Sequence, residues 1–266
     1  MSALTTTGAH VLLTGASSGI GEALAREFSR AGARLSLVAR RKDKLEALAQ
    51  ELGGSVACIG ADLSDLDCIA RVLAEAQAAH GEVDVLVNNA GVQLVGPFHE
   101  LPIEDTERMY RLNLLAPLRF TRTLLPGMVA RKAGIIVDVA SVAAFAAMPY
   151  ATDYSGSKAG LGVLSECLRG ELRGTGVHVV TVFPGPVSTP MEQVARDNFG
   201  AESKVAAAVP TGNAPTLARK IVRAVEKRQA RVIYPASYGV SRWFPGTTRF
   251  LMDRATPKPK GTSRSS

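Results

Sequence analysis

Seven short apolar runs, separated by longer segments of helical period, constrain this chain more than any other feature. HVLLTG (10–15), ARLSLVA (33–39), VACIGA (56–61), VDVLVNNAG (83–91), IIVDVAS (135–141), VHVVTVFPG (177–185) and RVIYP (231–235) read as strands. They are nearly continuous in apolar residues, not alternating, which suits a parallel sheet covered on both faces. Helical patterns lie between them at 20–32, 42–52, 65–79, 104–130, 153–173 and 214–228. Gly32 closes the first and Gly53 with Gly54 the second. Strand–helix alternation with right-handed crossovers gives an open, doubly wound, seven-stranded parallel sheet, an α/β fold in three α/β/α layers.

The turn after the first strand reads Thr14-Gly15-Ala16-Ser17-Ser18-Gly19-Ile20-Gly21. Glycine there allows a tight turn and close backbone approach. The helix that follows turns free N–H groups and a partial positive charge toward a phosphate. The spacing is GxxxGxG, not GxGxxG, and a glycine cluster alone would be an ordinary strand–helix turn. Its strand–loop–helix context argues for a dinucleotide. The second strand ends Val38-Ala39-Arg40-Arg41-Lys42, with no carboxylate to hold a ribose 2′-OH. Arg40, helped by Arg41, can take a 2′-phosphate in a bidentate fork. NADP(H) is therefore the preferred cofactor, with NAD(H) the alternative.

Tyr154 and Lys158 stand at i and i+4 and share a helix face. A nearby ammonium favours the phenolate, so the pair suits proton exchange with a carbonyl or alcohol. YxxxK is a cheap pattern in itself. Its place after the fifth strand, at the carboxyl edge of the sheet, is where ligands of this architecture bind. Ser141 ends that strand and could stabilise developing charge on a substrate oxygen. No GxSxG surrounds Ser141 or Ser157, which speaks against a serine hydrolase.

Taken together, these residues resemble the short-chain dehydrogenase/reductase family in its compact branch, with a Rossmann-type fold. The likeness runs from about residue 9 to 235. It rests on TGASSGIG (14–21), Asp62-Leu63, Asn88-Asn89-Ala90-Gly91, Asn113, Ser141, Tyr154 with Lys158, and Pro184-Gly185. The resemblance implies cofactor contacts from Gly15, Ser17, Ser18, Gly19, Ile20, Gly21, Arg40 and Arg41. It puts Asp62 on the adenine amino group with Leu63 beside it, and Asn89, Ala90 and Gly91 along the cofactor. Pro184, Gly185, Val187 and Thr189 would embrace the nicotinamide, and Lys158 its ribose. Tyr154 would be the general acid/base, with Ser141 on the substrate oxygen. Asn113 would hold a water that links Lys158 to solvent. A homodimer or homotetramer through the helices at 104–130 and 153–173 is also implied. The reaction expected is hydride transfer between nicotinamide and an alcohol/carbonyl substrate. A redox sensor without turnover would not need this proton-transfer set. Sugar-nucleotide epimerases share YxxxK but are longer, two-domain chains.

Composition narrows the remainder. The chain is 46% hydrophobic and 21% charged, outside the range of disordered proteins. Its net charge of +7 is concentrated in 219–231, at +5, and 254–266, at +4, which leaves the body near neutral. The basic balance therefore does not argue for nucleic acid. Cys58, Cys68 and Cys167 have no paired spacing, and the four histidines form no HExxH, so no metal site is expected. The stretch 174–191, free of Lys, Arg, Asp and Glu, holds three glycines and three prolines and is no membrane span. The first basic residue is Arg26, against a signal or transit peptide, so a cytoplasmic location is expected.

VAAFAAMP (142–149) and VQLVGPF (92–98) would line a pocket suited to an apolar ketone or aldehyde. Residues 190–213 spell no substrate. Residues 1–255 read as one dinucleotide-binding and catalytic domain. Within it, 236–255 is an extension carrying Trp243, Phe244 and Phe250. That extension would pack on the body or a second subunit, form a lid, or touch a membrane surface. The polar tail at 256–266 is expected to be disordered.

Overall fold

The computed structural model describes residues 6–199 and 210–265. The seven expected strands are present: β1 His10–Thr14, β2 Arg34–Ala39, β3 Val56–Gly60, β4 Val85–Asn88, β5 Gly134–Val139, β6 Val177–Pro184 and β7 Arg231–Tyr234. They pair in parallel in the order β7-β6-β5-β4-β1-β2-β3. The order reverses direction beside β1, and that switch point is where a doubly wound sheet opens a ligand crevice.

Side chains along each strand alternate between two cores. Val11 and Leu13 of β1 face one side with Leu35, Leu37, Val85 and Val87. There they pack under α1 (Gly19–Arg30), α2 (Lys42–Leu52) and a late helix at Ala214–Glu226. Leu12 faces the other side with Val38, Leu86, Ile136 and Val179, beneath α3 (Cys68–His80). Both faces are apolar, which accounts for the continuous runs in the sequence.

The helical stretch expected at 104–130 is built in three parts: α4 (Ile103–Tyr110), a wide π-type turn at Arg111–Leu115, and α5 (Ala116–Ala130). Next come α6 (Thr152–Glu171) and α7 (Pro190–Phe199). The late helix is α8. Its apolar stripe of Leu217, Ala218, Ile221, Val222 and Val225 is buried and its arginines face outward. The extension forms a short helix, Gly239–Trp243, and α9 (Pro245–Ala255).

One expectation fails. Residues 256–265, expected to be disordered, run back over the molecule. Ser263–Ser265 pairs antiparallel with a short strand at Gln93–Val95. The Lys260 N–H donates to the Asn198 carbonyl (2.8 Å), and Arg264 Nη1 reaches Asp105 Oδ1 (2.5 Å). Backbone pairing, the Asn198 amide donating to the Gly261 carbonyl (2.9 Å) and an ion pair hold this segment, so apolar patterning carried no sign of it.

Candidate active site

The glycine loop is folded by its neighbours. The Gly15 N–H donates to the Val38 carbonyl (2.8 Å), and Gly15 and Gly19 take positive φ of 70° and 61°. A Cβ at Gly21 would stand 2.1 Å from the Gly15 oxygen, so only glycine lets α1 start so close to β1. Thr14 Oγ1 donates to the Val87 carbonyl and accepts from the N–H groups of Asn89 and Ala90, each at 3.0 Å. The Asn89 amide donates to the carbonyls of Thr14 (2.9 Å) and Gly15 (3.2 Å). Asn89, expected along the cofactor, thus spends its side chain clamping the loop.

At the outer end of the loop Arg41 Nη2 donates to the hydroxyls of Ser17 (3.1 Å) and Ser18 (3.3 Å). Arg40 is exposed, lines the same cleft and has no partner among the described residues. Asp62 lies along the cleft, but its carboxylate is engaged. Oδ1 accepts from the Ser64 N–H (3.1 Å) and hydroxyl (2.7 Å), and Oδ2 meets the Arg108 guanidinium. Burial opposes the charge, yet these hydrogen bonds and Arg108 hold the Asp62 carboxyl below its usual range.

The second constellation forms where β5, α6 and the wide turn meet. That turn points Asn113 inward, and its side chain is fully buried. Asn113 Nδ2 donates to the Val92 carbonyl (2.9 Å) and Ser157 Oγ (3.1 Å), while Oδ1 accepts from the Val92 N–H (2.9 Å). Ser157 Oγ donates to the Tyr154 carbonyl (2.8 Å), one turn earlier on α6. Lys158 Nζ donates to the Val139 carbonyl (2.8 Å) at the end of β5. A Cβ at Gly91 would sit 3.1 Å from Asn113 Oδ1 and 3.2 Å from Lys158 Nζ, so Gly91 keeps open the gap between them. Ser141 Oγ accepts from the Ala143 N–H (3.1 Å).

Burial governs the charges here. It pulls the Lys158 ammonium down to about 8, with Asp138 partly opposing. It pushes the half-buried Tyr154 phenol up, against a lowering contribution from Ser141. The expected lowering of Tyr154 by Lys158 is not seen, because the ammonium is turned to the Val139 carbonyl.

One cavity of about 430 Å³ joins the two constellations. The glycine loop, Arg40, Arg41, Asp62 and Leu63 line one end. Asn89, Ala90, Gly91, Ser141, Tyr154, Lys158, Pro184, Gly185, Val187 and Thr189 line the middle. Met148, Met191, Phe199, Met252 and Ala255 line the far end. Asn113 sits behind this wall. Two guanidinium groups and a helix N-terminus at one end suit the phosphates of a dinucleotide. Among the described residues no group of three or more His, Cys, Asp or Glu could hold a metal ion.

Several lining groups were not singled out in the sequence. Behind the lining, Arg108 on α4, which pairs with Asp62, also lies outside any motif. Glu192 and Arg196 form an i, i+4 ion pair at the far end (2.5 Å). Tyr238 packs so near Gly185 that a Cβ there would come within 2.7 Å of its ring. Burial pushes the Tyr238 phenol up to about 12. The i, i+4 spacing of Glu192 and Arg196 was the one visible signal.

Residues 9–199 match the family model for short chain dehydrogenases. The chain belongs to the short-chain dehydrogenase/reductase family. A short chain dehydrogenase of Pseudocercospora fijiensis is 37% identical over 188 residues, 68% of this chain and 60% of that protein's length. A fatty acyl-CoA reductase of Mycobacterium tuberculosis is 37% identical over 233 residues, 85% of this chain and 76% of that protein. A short-chain dehydrogenase from Sphingobium yanoikuyae, solved in complex with NADPH, superposes with a TM-score of 0.77 at 31% identity. That match covers 92% of this chain and 96% of the other. This member of the family is thus an oxidoreductase relative with a Rossmann-type sheet. No helix among its described residues is long and apolar enough to cross a membrane.

Proposed function

We propose that the protein is an NADP(H)-dependent oxidoreductase acting on an alcohol/carbonyl pair, with an apolar ketone or aldehyde as the carbonyl form. The observation that carries this reading is the single cavity joining the glycine loop to Ser141, Tyr154 and Lys158. The Arg40 and Arg41 guanidinium groups would take the 2′-phosphate, with NAD(H) as the weaker alternative. Residues 15–21 would hold the pyrophosphate, and Pro184, Gly185, Val187 and Thr189 the nicotinamide end. When bound, the nicotinamide supplies or accepts a hydride.

The chain's own residues handle the proton. Ser141 donates a hydrogen bond to the substrate oxygen. Tyr154, kept protonated by burial, gives its phenolic proton to that oxygen during reduction. Lys158 and the buried Asn113 offer the route by which the proton is replaced. A raised phenol favours the reducing direction at neutral pH, because oxidation needs the phenolate. The methionines and alanines at the far end present a flexible apolar wall to the substrate. We further propose that copies pair through α5 and α6 and that the protein works in the cytoplasm.

Parallel titrations with NADPH and NADH, followed by nicotinamide fluorescence, test the reading. Tight NADPH and weak NADH are expected. Arg40→Ala should weaken NADPH about tenfold or more and leave NADH unchanged, as loss of a charge-assisted hydrogen bond implies. Binding of neither nucleotide would overturn the enzyme reading.

A further inference from the structure

Ten large apolar side chains are exposed among the described residues, and five of them lie between positions 240 and 251. Val240, Trp243 and Phe244 stand at i, i+3 and i+4 around the short helix Gly239–Trp243. Phe250 and Leu251 stand on α9, which packs beside it. Their exposure runs from 54% for Phe250 to 80% for Trp243. Surfaces of monomers seldom hold so many bulky apolar groups close together unless something covers them.

Charge indicates what does. Arg249, Arg254, Lys258 and Lys260 are exposed in the same segment, and none is paired with a carboxylate among the described residues. The Arg254 guanidinium lies 4.3 Å from the Phe250 ring centre. Arg242 is held by Glu166 and Arg264 by Asp105. Asp253 is the sole acid from 239 to 265. A second copy docked symmetrically on this face would bring cations against cations. An anionic lipid surface answers both features, because it attracts the basic groups and accepts aromatic rings at headgroup level. The same segment also walls the cavity, through Met252, Ala255, Thr256 and Pro257.

We propose that the 239–260 segment docks the protein peripherally on an anionic phospholipid surface, with Trp243, Phe244, Phe250 and Leu251 inserted at headgroup level. Docking sets the apolar end of the cavity beside the membrane, so that an apolar substrate reaches it from lipid. The docking itself is independent of the hydride chemistry.

Trp243 is the chain's one tryptophan and reports directly on the contact. The full chain is mixed with vesicles of phosphatidylcholine, with and without phosphatidylglycerol. Emission should move to the blue, and the protein should sediment with the vesicles, only where phosphatidylglycerol is present. Arg249→Glu should weaken co-sedimentation about tenfold or more, since each basic group near such a surface counts. Phe250→Asp should do the same. Both sites are exposed, and unchanged circular dichroism checks that the variants fold. Absence of a shift and of sedimentation at low salt would overturn the proposal. So would vesicle binding that both variants leave unchanged. Self-association without lipid that Trp243→Glu abolishes would also overturn it, and would assign the face to a second copy.

Discussion

Tyr154 illustrates how little a residue's type says without its surroundings. In sequence, the lysine four positions on promises an acidified phenol. In the fold, burial raises the phenol and the lysine is turned to a backbone carbonyl. Two consequences follow for the proposed reaction. Tyr154→Phe should lower turnover by about 10²–10⁴-fold, the usual worth of a positioned acid, with NADPH affinity retained. In the unsubstituted enzyme the reductive rate should fall as pH rises and the oxidative rate should climb, because reduction consumes the protonated phenol. Steady-state rates in both directions across a pH series would decide. Parallel profiles would remove Tyr154 from the role.

At the scale of elements, Glu166 on α6 joins two pieces that are distant in sequence. It accepts from Arg231 on β7 and takes a two-pronged contact from Arg242, at 2.9 and 3.1 Å, on the short helix of the extension. Burial opposes its charge, but the two guanidinium groups prevail and hold the carboxyl at about 2. Its folded pKa is therefore depressed. The stabilisation is complete above the ordinary value of 4.5 and is lost as pH falls from there toward 2. A shift of that size sets an upper bound of about 3 to 4 kcal/mol, and solvent screening of this partly exposed group brings the contribution well below it. Glu166→Gln should lower stability near neutrality, and the gap to the unsubstituted protein should close below about pH 4.5. Denaturant melts at a series of pH values measure this. A gap that stays constant down to pH 3 would exclude the ion pairs as its source.

Across the whole molecule, legibility divides along the sheet. The seven strands and their parallel pairing could be read because both faces of the sheet are buried. Glycine is also obligatory where Gly21 backs onto the Gly15 oxygen. The far end of the cavity could be read only at Met148, in the 142–149 run expected to line a pocket. It is assembled from Met148, Met191, Phe199 and Met252, which share no period, and is closed by the 256–265 segment through backbone pairing. Arg108 was equally hidden, since an exposed arginine on a helix gives no hint that it will find Asp62. Association between copies belongs to this scale too. Val129 and Val163 leave apolar surface bare on the two helices proposed to pair, with Val163 64% exposed. Sedimentation should find a dimer or tetramer, and Val163→Glu should shift it toward monomer. A monomeric native protein would discard that pairing.

The wide turn at Arg111–Leu115 separates what the frame needs from what the site needs. A π turn holds one residue more than an α turn, so the helix around Asn113 carries a surplus residue between two stretches that pack normally. Deleting Leu114 should let the helix close up with α4 and α5 still in phase, costing little of the fold while swinging Asn113 out of the interior. A folded, NADPH-binding but slow deletion variant would show that the surplus residue serves the site and not the frame. A variant that fails to fold would mean that the surplus residue has become part of the frame.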